Sequence, residues 1–248
     1  MKRMILGMSV VAAMLLTASS AMAAGVNLRW NACFGDGGVV DRTSACTSNL
    51  GSAGTLVGSF QLDSDILGVT GIEGVLDIIA AGGSLPAWWD FSAPGGTVGC
   101  RGTALSINPT ISGSAVNCFD WAGGQAAGGL AAYTDTGSPA GVPGHRRIKL
   151  GFAVAAPTDV PGAAEFFAFN LGLSNAKTTG TGNCAGCATS VCIVLNSILV
   201  QPGIAQGTVL GSGTAAGSNI ATWQGSGPDC SLVPTKNTTW SQVKSLYR

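Results

Sequence analysis

Apolar and polar residues alternate with a period of two along much of this chain, and stretches of helical period are almost absent. In 55–62, Leu56, Phe60 and Leu62 share one side while Thr55, Ser59 and Gln61 fall mainly on the other, which predicts a half-buried strand. Residues 72–79 set Ile72, Leu76 and Ile78 against Glu73 and Asp77, a strand whose pattern Val75 and Ile79 blur. The alternation of Ile148, Leu150, Phe152 and Val154 with Arg147 and Lys149 predicts a strand that Pro157 stops. In 165–174, Phe167, Phe169, Leu171 and Leu173 make an apolar side, and Ala168, Asn170, Gly172 and Ser174 a small or polar one. Residues 191–200 are apolar on both sides, as in a central strand between two layers.

Glycine-rich punctuation separates these runs at 35–38, 95–99, 123–144 and 211–227. Short strands so divided predict an all-β chain, an antiparallel β-sandwich or jelly roll with disulfide-stapled loops. Only the end of the chain departs from this pattern. Thr239 and Gln242 have capping-box spacing, and Trp240, Val243, Leu246 and Tyr247 fall on one helical stripe, which predicts a short C-terminal helix.

The beginning changes the picture of where the protein resides. Lys2 and Arg3 precede an apolar run from Met4 to about Leu16 and the small residues Ala21-Met22-Ala23, the layout of a secretory signal cut after Ala23. The apolar run is short for a membrane span, so no transmembrane anchor is expected after cleavage. The expected organisation is a signal peptide at 1–23, a β-sandwich domain at 24–225, and a tail at 226–248 carrying the short helix. The 248 residues carry a formal net charge of +0, and losing Lys2 and Arg3 leaves −2. With charged residues at 10% of the chain, there is no basic field for nucleic acid.

All eight cysteines, Cys33, Cys46, Cys100, Cys118, Cys184, Cys187, Cys192 and Cys230, fall after the leader, and an even number in an exported chain predicts disulfides. Loop closure favours near neighbours, so Cys33 is expected to pair with Cys46 and Cys100 with Cys118; the other four leave several pairings open. Crosslinks would offset the entropy cost of ordering a chain with 38 glycines.

Three segments, Val26-Asn27-Leu28-Arg29-Trp30-Asn31-Ala32-Cys33, Lys177-Thr178-Thr179-Gly180-Thr181-Gly182-Asn183-Cys184-Ala185-Gly186-Cys187 and Thr239-Trp240-Ser241-Gln242-Val243-Lys244-Ser245-Leu246-Tyr247-Arg248, resemble uncharacterised exported β-rich proteins of environmental bacteria. The resemblance implies export and a shared domain, and brings no activity with it.

Candidate chemistry is sparse. Cys184-x-x-Cys187 with Cys192 and Cys230 has a spacing that suits a zinc ion when the thiols are reduced, but an oxidising compartment favours disulfides, and a redox dithiol would need a βαβ context that is missing. His145 is the only histidine, no serine stands near it in a nucleophile-elbow pattern, and it is expected at the surface. Asp63-x-Asp65 lacks the remaining acidic positions of a calcium loop and fits a turn. Trp88, Trp89 and Trp121 are the candidate ligand-binding residues, because indole faces stack on sugar rings and Asp90 and Asp120 stand beside them to accept hydroxyl hydrogen bonds. The competing role for these tryptophans is core filling, and for the aspartates turn capping. Asp90 and Asp120 are also the only pair singled out for catalysis, as two carboxylates of a glycoside-active enzyme. No cofactor or resident metal is expected.

The expected function is therefore that of a secreted or cell-surface, non-catalytic β-sandwich with a binding or structural role, with an extracellular or envelope polysaccharide or protein as partner. The alternatives are a glycoside-active enzyme using Asp90 and Asp120, and a structural envelope protein docked by its C-terminal tail.

Overall fold

Strands form at all five places where the alternation predicts them, and four of the five are longer than it predicts. In the computed structural model, which describes residues 23–80, 84–92, 94–95, 98–111, 118–134, 144–225 and 230, the chain is all β. The strands are β1 (Gly25–Trp30), β2 (Asp41–Arg42), β3 (Ser52–Gln61), β4 (Ile66–Ala80), β5 (Leu105–Asn108), β6 (Phe119–Asp120), β7 (Ala127–Thr134), β8 (His145–Val160), β9 (Glu165–Ser174), β10 (Val191–Pro202), β11 (Thr208–Gly211) and β12 (Ile220–Trp223). Residues 1–22 of the expected leader and the helix expected at 239–248 lie outside the described residues. Among the described residues, no helix is long and apolar enough to cross a membrane.

Two sheets result, both mostly antiparallel. The first has the order β1-β3-β9-β5, with β6 beside β9; the second has the order β2-β12-β10-β4-β8-β7, with β11 beside β10. One hydrophobic core draws on both, from Leu28, Leu56, Phe60, Phe169 and Leu171 of the first sheet and Ile72, Leu76, Ile148, Leu150, Ile193, Leu195 and Trp223 of the second. The outer edge of β1 is not left open. Val26 N–H donates to Ser212 O (2.8 Å), Leu28 N–H to Ser218 O (2.8 Å) and Trp30 N–H to Val39 O (2.8 Å), which removes the unpaired donors of an edge strand.

Several expectations change. The half-buried strand at 55–62 is buried on both sides: Leu56 and Phe60 face the shared core, Val57 packs with Cys33 and Cys118 on the outside of the first sheet, and Ser59 and Gln61 on that same side are buried. The single apolar side expected of 165–174 is split. A register shift opposite Gly58 and Ser59 turns Phe167 outward against Cys33, Val57 and Cys118, while Phe169, Leu171 and Leu173 stay in the main core. Pro157 does not stop β8. It falls in the irregular stretch between the pairs Gly71 with Ala153 and Val69 with Thr158, where a missing N–H costs no ladder bond. The periodicity missed the seven shorter strands, β1, β2, β5, β6, β7, β11 and β12. β7 is Ala-Gly-Gly-Leu-Ala-Ala-Tyr-Thr, too poor in large side chains to register, and its Gly128 (φ +148°) brings the backbone against Gly151 O, where a Cβ would clash.

Candidate functional site

Three crosslinks gather at one end of the second sheet, where β4 ends at Ala80 and β10 begins at Val191. All eight cysteines are bridged, as Cys33–Cys118, Cys46–Cys187, Cys100–Cys184 and Cys192–Cys230. The expected pairs Cys33–Cys46 and Cys100–Cys118 are therefore corrected. Proximity along the chain favours neighbours, but sheet register decides which loops meet, and here it joins cysteines up to 141 positions apart. Cys184 and Cys187 each take a different distant partner, which leaves no thiolate set for zinc or for dithiol exchange.

A short 3-10 turn at Ala87–Trp89 points both indoles inward at this end. Trp88 and Trp89 have no exposed surface and Trp121 is buried at 4%, so the sugar-stacking role expected of all three is corrected to core filling. Trp88 stacks on Trp223 at 5.0 Å, meets Trp89 edge-on at 5.0 Å, and donates its Nε1–H to Thr178 Oγ1 (3.0 Å). Its other side carries the Arg101 guanidinium, 3.5 Å from the ring centre. Trp223 Nε1–H donates to Cys187 O (2.6 Å), Trp30 Nε1–H to Thr222 O (2.8 Å) and Tyr133 Oη–H to Trp89 O. Burial pushes the Tyr133 hydroxyl well above its ordinary value, so it stays a donor.

Arg101 organises the surrounding loops. It is 1% exposed and donates from Nη1 to Trp88 O (2.9 Å), from Nε to Ala176 O (2.9 Å) and from Nη2 to Ser174 O. Burial lowers it to about 10, which keeps the cation at neutral pH, held by three carbonyls and an indole face. Lys177 reaches back to Cys100 O (2.8 Å), and its own backbone stands in the left-handed region at φ +56°. Cys46 (φ +55°) and Gln224 (φ +61°) share that strained conformation at the same end; neither is glycine, so surrounding contacts hold them there. Gln224 Nε2–H donates to Ser44 O (2.8 Å) and Cys187 O (3.2 Å). Asn49 accepts from Thr178 N–H (2.7 Å) and Thr179 N–H (2.8 Å) and donates to Thr179 O (2.9 Å). These anchors fix the base of a loop in which Gly180, Thr181, Gly182 and Asn183 stand exposed.

The two aspartates serve the backbone and stay apart. Asp90 Oδ2 accepts from Cys100 N–H (3.1 Å), and Asp120 caps its own turn by accepting from Ala122 N–H (2.9 Å) and Gly124 N–H (2.6 Å). Asp120 lies opposite Phe167 on β9, while the Asp90 loop is tied through Arg101 to Ser174. Those anchors are about 23 Å apart along an extended strand. Even after the reach of Arg101, that exceeds the roughly 5–9.5 Å of a glycosidase pair.

His145 is corrected as well: at 3% exposure it is buried, because it lies on β8 opposite Ile79 in a covered part of the outer face of the second sheet. Burial lowers its pKa, opposed by the charge of Asp77, and its Nδ1 has no hydrogen-bond partner among the described residues. Asp77, fully buried, pairs with Arg147 through two contacts of 2.8 Å, which raises the Arg147 pKa. On the first sheet, Glu165 accepts from Phe34 N–H (3.0 Å), Gly35 N–H (2.7 Å) and Ser59 Oγ–H, which ties the loop after β1 to β9. At the far turn, Asp65 accepts from Gly162 N–H (2.8 Å), while Asp63 accepts from Ser64 Oγ–H (3.2 Å). Among the described residues, Cys33, Asp36 and Cys118 are the one group with metal-compatible convergence, but the two sulfurs are bonded to each other.

Neither Arg101 nor Asn49 stood out in the sequence. Each is an isolated polar residue whose partners lie far along the chain, and no local spacing marks it. Models of known protein families, curated proteins and solved structures give no match to this chain.

Proposed function

We propose that this chain is an exported β-sandwich without chemistry of its own, acting outside the cytoplasm by binding through the loop at 179–183. The observation that carries this proposal is the preorganisation of that loop. Cys184 is bridged at its far end, Asn49 grips its near end through three hydrogen bonds, and Thr181 and Asn183 are left facing solvent. A polar loop already fixed in place loses little entropy on binding, which suits a polyhydroxylated ligand such as an envelope or extracellular polysaccharide. The shared core of the two sheets supports the sandwich, and four disulfides, the chemistry of an oxidising compartment, support export. The internal engagement of Asp90, Asp120 and the tryptophans weighs against the glycoside-active alternative.

The test is to express the full chain in an exporting bacterium, isolate the oxidised mature form, and screen it on immobilised glycans beside a Thr181→Ala/Asn183→Ala variant of equal melting temperature. Binding that the variant loses by about tenfold or more supports the proposal. Binding untouched by the variant removes the loop from it, and release of sugar from a bound glycan refutes the non-catalytic role. A product that stays reduced with its leader attached refutes export.

A further inference from the structure

A sheet that packs one side on a core normally shows polar side chains to water on the other, and the outer side of the second sheet departs from this. Register sets Ser197, Val75 and Lys149 in one transverse row and Val209, Leu199, Glu73 and Gly151 in the next, across β11, β10, β4 and β8. Val209 is 66% exposed, Glu73, Lys149 and the neighbouring Ala153 are exposed, and Val75 and Leu199 are half-buried. Glu73 and Lys149 are the charged members of an otherwise small or apolar surface.

Two glycines flatten that surface. Gly151 stands in the second row, and Gly211 lies beside Ser197 at the end of the first. Neither has a left-handed φ, and beyond the chain neighbours a Cβ would meet nothing closer than 3.9 Å at Gly151 or 3.8 Å at Gly211. The fold of a single chain therefore does not require glycine at either position. A strand glycine without such a local reason marks a place where another backbone comes close.

We propose that this face pairs with the same face of a second copy of the chain, about a two-fold axis passing between Glu73 and Lys149. The charges select this occupant. The two residues are diagonal neighbours about 8 Å apart on adjacent strands, and among the described residues neither has an ion pair or a hydrogen bond from its side chain. An axis in the plane of the interface that bisects the line between them sets Glu73 of each copy over Lys149 of the other. Both charges are then compensated, and the small and apolar residues around them leave water. A partner of one charge sign would compensate only one of the two. The five strands from β11 to β7, over these rows and the next one at Ala153, cover about 24 Å by 20 Å, or about 1,000 Å² for two copies. That is the lower limit of a specific interface and fits a reversible dimer. The loop at 179–183 lies outside these rows, so the inference does not depend on the glycan-binding proposal.

Sedimentation equilibrium of the oxidised mature protein over about 1 µM to 1 mM reads the pairing directly. The wild type is expected to pass reversibly from monomer to dimer in this range. Lys149→Glu and Glu73→Lys should each weaken the dimer by about tenfold or more, and the double exchange Glu73→Lys/Lys149→Glu should restore it to within about threefold. A wild type that stays monomeric throughout overturns the proposal. So does a dimer that ignores the single reversals, or one that the double exchange fails to restore, since its interface then lies elsewhere. Where a variant does not fold, the unchanged chain decides: an equal mixture of isotopically light and heavy protein is joined by a zero-length carbodiimide and digested. A crosslink from Glu73 to Lys149 between a light and a heavy peptide upholds the proposal; one found only between peptides of the same isotope, or none, overturns it.

Discussion

The two ends of the strands are built in opposite ways. At the end where β4 finishes and β10 starts, the long connections carry three disulfides, a buried arginine and stacked tryptophans. At the other end the connections between β3 and β4, β8 and β9, and β10 and β11 carry no disulfide, and local hydrogen bonds suffice. Gly162 N–H donates to Asp65 Oδ1 (2.8 Å), Gly68 N–H to Asp159 Oδ1 (2.9 Å) and Gly203 N–H to Gly68 O (3.0 Å), while Leu67 and Ile204 stand in solvent. The difference teaches what the crosslinks are for. A tight turn is ordered by a few bonds between near neighbours, but long glycine-rich loops cannot order themselves, and they are fastened to one another by covalent and charged links.

The largest effect should come from cutting those links. Replacing Cys46 and Cys187, or Cys100 and Cys184, by serine pairs should cost about 4–5 kcal/mol each through the freed unfolded chain, measured as denaturant unfolding of each variant beside the oxidised wild type. A loss below about 1 kcal/mol would mean that the loops hold without the bridges, and the contrast between the ends would fall.

Next in size is Arg101→Leu. It strands three backbone carbonyls, Trp88 O, Ala176 O and Ser174 O, without their donor, and should destabilise by about 2–4 kcal/mol in the same unfolding assay. Arg101→Lys should recover only part of this, because an ammonium does not reproduce the planar fork lying on Trp88. Full recovery by lysine would show that the charge matters and the geometry does not.

The open end should be tolerant. Asp159→Ala removes one exposed turn bond and should cost about 1 kcal/mol or less, and Leu67→Ser should stay within about 0.5 kcal/mol. Thermal melts that place either change on a par with Arg101→Leu would erase the distinction between the two ends.

Much of the fold was legible because strand periodicity is local. Leu56 and Phe60, Leu150 and Phe152, and Leu171 and Leu173 announce their shared side by spacing alone. The candidate site was far less legible. Trp88-Trp89-Asp90 has the residue types of a sugar platform, yet the same types serve equally to fill a core, and only the loops that converge on them decide between the two. A phase flip such as that of Phe167 is likewise invisible in a single strand, since it arises from pairing with a neighbour.

By itself the sequence determined the all-β class, the positions of the five longest strands, and a set of cysteines sufficient for four bridges. These follow from period-two alternation, the scarcity of helical runs and simple composition, all properties of neighbouring residues. The tertiary structure alone decided which cysteines meet, why His145 and the tryptophans are buried, and that Asp90 and Asp120 never face each other. Each of those outcomes depends on sheet register, which brings together residues scores of positions apart and leaves no trace in local spacing.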